Sequence, residues 1–373
     1  MPALADAVLR AVVFALGFFV VVRIMLAAIR AFVLTRGSND PLIRIFFRTT
    51  RRLLGLIAGP RRSYAWRDRV LAYYAPVSLV LLPIYWITLV GLGYTLMYWA
   101  MGVARPAGQA LDLGALPDAF RLSGSSVLTL GFASSTVPGA SVAVFSEAAL
   151  GLILVALLIS YLPTIYGAFS RRELLVNLLE VRADSPPSAV VMLTRIQRLH
   201  GLEALHEMWE RWEPWFSELE ETHTSLPVLV FYRSQQADHS WVNAAEAIMD
   251  TAALTRSTVD VPLDVQADLT IRAGYLALRR IADYFFIRYD RAPRQDAPTS
   301  ITRARFDEVC RVLAASGVPL KPDLDRAFLD FNGWRVNYDE PVIALASLTM
   351  APPSWWSRPM VSAYATDEPT LTA

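Results

Sequence analysis

The chain has 373 residues, 54% of them hydrophobic, with a mean hydropathy of +0.36, values too high for an ordinary soluble protein and suited to one that lies in a membrane. Its formal net charge of +1 hides an uneven layout, basic over roughly the first 75 positions and acid-rich after about position 200; with no long basic face, nucleic-acid binding is not expected. Cys310 is the one cysteine, which excludes an intramolecular disulfide and reads as a buried, reduced thiol.

Ala11 to Ile29 is the first apolar run, interrupted only by Arg23, and about 20 such residues span the hydrocarbon core, so residues 1–34 are expected to form a transmembrane helix. The rival reading is a signal peptide, because the apolar core Ala11 to Val22 is short. An Asp beside the one Arg of the first ten residues, and the lack of a small-x-small cleavage site, speak against it. Arg23 and Arg30, seven apart, share a helix face and snorkel to the nearby interface.

Between Arg36 and Arg69 there are nine arginines against Asp40 and Asp68. Leu42, Ile43, Ile45, Phe46, Phe47, Leu53, Leu54, Leu56 and Ile57 alternate there with Arg44, Arg48, Arg51 and Arg52 at helical spacing. Residues 35–74 therefore read as a basic amphipathic helix on an anionic lipid surface, or as a solvated linker helix packed on a cytoplasmic domain. Either way the positive-inside rule puts this loop in the cytoplasm and the N-terminus outside.

Ala75 to Val103 is the second span, with Pro76 and Pro83 near its start and Tyr94, Tyr98 and Trp99 toward the far interface. The segment Ala104 to Phe145 carries only Arg105 and Arg121 as basic residues, as an external segment does. Within it Pro117 and Asp118 suit the first turn of a short helix, because Pro lacks a donor that is idle there and the carboxylate complements exposed amides. Asp118 to Leu128 is thus expected to be a half-helix dipping into the membrane, its partially negative C-terminal end directed at an axis. Ser146 to Arg172 is the third span, with Ser146 as N-cap, Glu147 in the first turn, Gly151 as a packing or bending point and Pro163 as a kink near the inner end. Arg171, Arg172 and Glu173 mark re-entry into the cytoplasm.

Beyond Glu173, residues 174–351 read as a soluble, mainly helical domain. Helices are expected over Ser188 to Leu226, Ser240 to Leu254, Val265 to Tyr289, Thr302 to Ser316 and Lys321 to Asp339; Leu226 to Tyr232 reads as a short strand or a buried helical turn. The Pro-rich tail 352–373 is expected to be poorly ordered. The fold class is therefore mainly α and integral to the membrane: three transmembrane helices, one re-entrant pore loop, and a C-terminal helical domain.

Residues from about Ala75 to Glu173, roughly a quarter of the chain, resemble the bacterial two-transmembrane, single-pore-loop ion-channel family related to potassium channels, whose usual filter is Thr-Val-Gly-Tyr-Gly. Thr129 stands at the filter Thr, Leu130 replaces Val, Gly131 keeps the first Gly, Phe132 replaces Tyr and Ala133 replaces the second Gly. Pore-helix positions fall on Asp118, Ser125 and Ser126. Such a filter uses backbone carbonyls to replace an ion's water shell, and turning successive carbonyls one way needs positive φ, which Gly supplies without steric cost. Gly131 supplies it; Ala133 is expected to be strained. Phe132 lacks the phenol hydroxyl with which a Tyr could brace the filter against the pore helix. The resemblance implies a homotetramer in the cell membrane, cation conduction with potassium as the expected permeant ion, no cofactor, and gating by the inner helix. Leu154, Leu158, Ile159 and Tyr166 are candidates for a dewetting constriction, with Gly151 and Pro163 as hinge candidates.

The four histidines, His200, His206, His223 and His239, fall within forty residues of one another without a zinc-protease pattern, and read as a solvated helix edge. Trp209, Trp212, Trp215 and Phe216 read as core. No catalytic serine elbow, phosphate loop or dinucleotide fingerprint is present, so an enzyme is not expected. The reading from another class is a nonconducting membrane scaffold or sensor with a degenerate pore loop, whose cytoplasmic domain binds a protein partner.

Overall fold

The computed structural model describes residues 2–32, 41–59, 64–103, 112–199, 201–236 and 238–357. Among them the chain is helical, with no strand beyond one isolated antiparallel bridge between Val259 and Leu320. Leu4–Arg30, Tyr74–Met101 and Ala140–Ala183 are long and apolar enough to cross a membrane. This is a mainly α protein with the composition of a membrane protein. The expectations for Arg36, Asp40, Arg61, Arg62, Arg105, His200 and residues 358–373 of the tail lie outside the described residues. The described part of that tail, expected to be poorly ordered, instead holds a 3₁₀ turn at Trp355–Ser357 with Trp355 and Trp356 buried in the core.

The chain divides into two units, Met1–Arg62 with Arg69–Tyr166, and Ser63–Asp68 with Gly167–Ala373. In the first, α1 (Pro2–Phe32) lies antiparallel to α4 (Tyr74–Met101), joined through α2 (Pro41–Ala58) and α3 (Tyr64–Ala72). Apolar faces gain little from each other in lipid, so close backbone approach has to hold such helices together. It is found where α1 crosses α4: a Cβ on Gly17 would stand 2.5 Å from the carbonyl oxygen of Gly93. One flank of α2 packs on α4, where the Phe46 ring lies 5.3 Å from that of Tyr85 and the Tyr74 hydroxyl donates to the Phe47 carbonyl at 3.1 Å. Ile45, Leu53 and Leu56 stay exposed on its other apolar flank.

A short helix, α5 (Leu116–Val127), and the long α6 (Ala140–Ala183) complete the membrane region. The start expected at Ser146 is wrong: the apolar residues 140–145 are already helical, and the chain enters the helix from Gly139 at φ 80°, whose carbonyl accepts from Val142 N at 3.2 Å. Pro163 lies inside the continuous helix, exposed, and leaves the Ile159 carbonyl without its helical donor.

The second unit is an α-helical domain of α7 (Ala189–Leu199), α8 (Leu205–Ser225), α9 (Trp241–Ser257), α10 (Val265–Tyr284), α11 (Arg303–Ala315), α12 (Leu324–Arg335) and α13 (Asp339–Thr349). Its hub is α9, buried on nearly every side, where Ala, Ile, Met and Leu pack into the core and the buried carboxyl groups of Glu246 and Asp250 are met by Arg335. Trp209, Trp212, Trp215 and Phe216 of α8 are buried in the same core, each contributing about 1.5–3 kcal/mol or more on an area basis. Burial also pushes the Cys310 thiol up to about 11.

Three expected elements differ. The helix over Ser188 to Leu226 is two helices, interrupted at Gly201 with φ 78°. That over Lys321 to Asp339 divides after Arg335, because the Pro341 ring cannot continue a helix through residue 337 and Asn337 Nδ2 takes the released carbonyls of Gly333 and Trp334 at 3.1 and 3.2 Å. The helix from Val265 ends at Tyr284 rather than Tyr289, through Phe286 at φ 55°. Of the two readings of Leu226 to Tyr232 the buried helical turn is the one found: Pro227–Phe231 is a 3₁₀ turn with Val228, Leu229 and Val230 buried.

Candidate pore segment

The short helix α5 begins as its sequence suggests, with Pro117 and Asp118 in the first turn and Asp118 exposed beside Arg121 at 3.9 Å. Its buried face, Ala119, Leu122, Ser123, Ser126 and Val127, lies against α4, where Ser123 Oγ donates to the Gly91 carbonyl at 2.8 Å.

At the C-terminal end the chain folds back on its own helix. Leu128 N donates to Gly124 O at 3.3 Å, Thr129 N to Ser126 O at 2.9 Å and Leu130 N to Ser125 O at 2.8 Å. Ser125 Oγ then accepts from Ala133 N at 3.1 Å, so one serine of α5 holds both ends of the segment Leu130 to Ala133. Ser126 Oγ donates back to Leu122 O at 2.8 Å and takes no part in this hold.

Positive φ falls on Thr129 (55°) and Gly131 (73°), with Leu130 outside that region between them. The strain expected at Ala133 is therefore absent. Thr129 carries it instead, at about 1–2 kcal/mol for an L-residue, and its hydroxyl donates to Leu128 O at 2.8 Å. The carbonyl oxygens of Thr129, Leu130, Gly131 and Phe132 receive no hydrogen bond from the described residues. Leu130 and Phe132 are each 61% exposed in the single chain.

Of the inner-helix candidates, Gly151 is a packing point: a Cβ there would stand 2.2 Å from the Val127 carbonyl oxygen. Leu154 is 1% exposed in the core formed with α4 and α5, which removes it from the candidate constriction. Ile159 and Tyr166, seven residues apart on one face, are 64% and 70% exposed.

Sequence reading missed the polar contacts behind α5. Glu147, expected in the first turn of the third span, is fully buried, with Oε1 2.5 Å from Ser123 Oγ and Oε2 accepting from the Tyr98 hydroxyl at 2.8 Å. Beside it Tyr94 and Ser146 share a hydrogen bond of 2.8 Å. The signal was present: Glu147 is the only charged residue from Ala140 to Ser170, and an ionisable side chain within an apolar span is rare without a purpose.

In the second unit, Arg172 is buried, binding Glu173 Oε1, the carbonyls of Leu229 and Tyr232 at 2.9 and 2.7 Å, and lying 3.2 Å from His223 Nε2. Burial, and then the Arg172 charge, hold His223 well below its usual pKa. The histidines thus do not form one solvated edge. His206 is exposed against Asp264, whose hydrogen bond and charge raise its pKa, and His239 is buried with Nδ1 3.0 Å from Asn177 Oδ1. No group of three His, Cys, Asp or Glu placed to hold a metal occurs among the described residues.

A second buried cluster centres on Arg335, which donates to Asp250 at 2.7 and 2.9 Å, Glu246 at 2.9 Å and Asp339 at 2.8 Å. Tyr338 and Trp356 complete it through Asp250 at 2.8 and 2.6 Å. Burial raises the Glu246 pKa, opposed by Arg335 and reinforced by Asp250.

Comparison of the chain with protein-family models, with curated proteins and with solved structures finds no match.

Proposed function

We propose that the chain is one subunit of a tetrameric cation channel, potassium-permeable, with Thr129 to Ala133 as the filter of a re-entrant loop. The observation that carries this is the run of four carbonyls, Thr129 to Phe132, without a donor among the described residues, directly after a short helix. Backbone oxygens at membrane depth require a partner, and non-helical backbone is tolerated there where it lines a water-filled path. Left-handed backbone at Thr129 and Gly131 supports carbonyls turned toward one side, where a cation replaces the missing donors.

One segment per chain cannot enclose an axis, so four copies surround it, and the exposed Leu130 and Phe132 side chains pack on neighbouring subunits. The basic loop and the C-terminal domain lie in the cytoplasm and the N-terminus outside. Ile159 and Tyr166 face the inner conduction path as its apolar constriction. Anionic lipid headgroups meet the arginines around α2. Cross-linking in the membrane should run to a tetramer, and a ladder that stops at the dimer contradicts the proposal. Gly131→Pro should abolish ion flux, because Pro cannot adopt φ 73°.

The competing scaffold reading draws on the extent of the C-terminal core. It requires partner binding and phenotype to survive filter substitutions and to vanish on deletion beyond Glu173.

A further inference from the structure

Glu147 has no part in ion coordination as proposed above, yet its placement ties three helices together. It sits opposite Ser123 of α5, and Gly151, one turn further along α6, sits opposite Val127. Both pairs are separated by the same 24 residues in sequence, 147 from 123 and 151 from 127, so the two helices touch in register at successive turns. The second oxygen of the carboxyl takes the hydroxyl of Tyr98, fully buried on α4. Ser123 Oγ in turn lies between Glu147 and the Gly91 carbonyl of α4, at 2.5 and 2.8 Å. Two residues along, on the other face of α5, Ser125 holds the segment Leu130 to Ala133, by its carbonyl to Leu130 N and its hydroxyl to Ala133 N.

We infer that Glu147 is a positioning residue for the filter: its carboxyl fixes α5 against α4 from behind, and Ser125 passes that fixed position to Leu130 and Ala133. It takes over the bracing that Phe132, without a hydroxyl, does not provide. The effect on ions rests on the channel reading; the effect on the position of residues 125–133 does not.

The test is backbone amide exchange of the full chain in lipid nanodiscs, together with potassium-to-sodium permeability ratios from reconstituted protein. Ser123 and Tyr98 both lose a partner in Glu147→Ala, so the amides of Leu130, Gly131 and Ala133 should exchange about tenfold faster or more, while α1 and the C-terminal unit keep wild-type rates. The permeability ratio should fall as well. Glu147→Gln keeps an acceptor for Tyr98 and offers a hydrogen to Ser123, and should restore both readouts to within about twofold of wild type. Should Glu147→Ala fail to fold, Tyr98→Phe removes one bond without a cavity and should produce a smaller acceleration at the same three amides.

Wild-type exchange at those amides in the variants overturns the inference, whether or not the protein conducts. Faster exchange with an unchanged permeability ratio in a conducting protein reduces Glu147 to structural support and also overturns it. A wild type that passes no ions defeats the channel reading alone, and the exchange data still decide whether Glu147 positions the segment.

Discussion

Gly151 and Val127 meet backbone to backbone: the glycine of α6 leaves room for the carbonyl oxygen at the last turn of α5, and a methyl group added there would stand 2.2 Å from that oxygen. Neither a rotamer change nor a small shift of one side chain relieves such a contact. The two helices have to separate. Gly151→Ala is therefore expected to destabilise the membrane unit by about 1–3 kcal/mol, seen as a lower unfolding temperature in detergent. Gly55→Ala, in α2 with nothing within 4 Å of the added carbon, serves as the control. It should be neutral or stabilise by up to about 1 kcal/mol.

The Arg335 cluster sets three carboxyl groups around one guanidinium inside the C-terminal unit. Arg335→Met leaves them facing one another without a counter-charge and should cost about 3–5 kcal/mol. Glu246→Gln behaves differently. Its carboxyl resists ionisation because of burial and Asp250, while the amide keeps an oxygen for Arg335. At neutral pH this substitution should be tolerated or stabilising, and Asp250→Asn, which disturbs Arg335, Tyr338 and Trp356 together, should not be. Chemical denaturation of the full-length variants ranks the three.

His223 makes stability depend on pH with a definite sign. Its pKa is depressed in the folded protein, so above the unfolded value of 6.5 both states are neutral and nothing is lost. As pH falls below 6.5 the unfolded chain takes up a proton that the folded chain refuses, and stability declines by at most about 1.4 kcal/mol per pH unit for this one group. His206 has the opposite sign, its pKa being raised by Asp264, so its contribution is present below 6.5 and fades as pH rises through its folded value. Unfolding at pH 7.5 and 5.0 should show an acid loss that His223→Gln reduces and His206→Gln does not.

If Ile159 forms part of an apolar constriction, a polar side chain there hydrates it. Ile159→Asn should raise ion flux several-fold at rest, whereas the same change at buried Leu154 should lower the yield of folded protein instead. Flux and yield measured on the pair distinguish a pore-facing position from a packed one.

The spans were legible because composition and length alone decide them, and α5 was legible because Pro117 and Asp118 announce its first turn. Other features carry no local mark. The end of α10 passes through Phe286 at φ 55° where no glycine signals a stop, and the break after Arg335 becomes visible only once Pro341 is weighed against a helix through residue 337. The left-handed non-glycine residue of the segment Leu128 to Ala133 is Thr129 rather than Ala133, which goes with how Ser125 draws in the amides of Leu130 and Ala133, a fold-back that no motif encodes. Glu147 was visible as a lone charge; its partners Ser123 and Tyr98 come from two other helices and needed the fold.

The central claim is that carbonyls of the segment Thr129 to Phe132 bind permeating cations. Purified full-length protein in liposomes, driven by an imposed gradient with potassium, rubidium and sodium in turn, tests it most directly. The expected result is flux of potassium and rubidium exceeding that of sodium, abolished by Gly131→Pro. A wild type silent to all three ions under varied voltage, pH and membrane tension contradicts it.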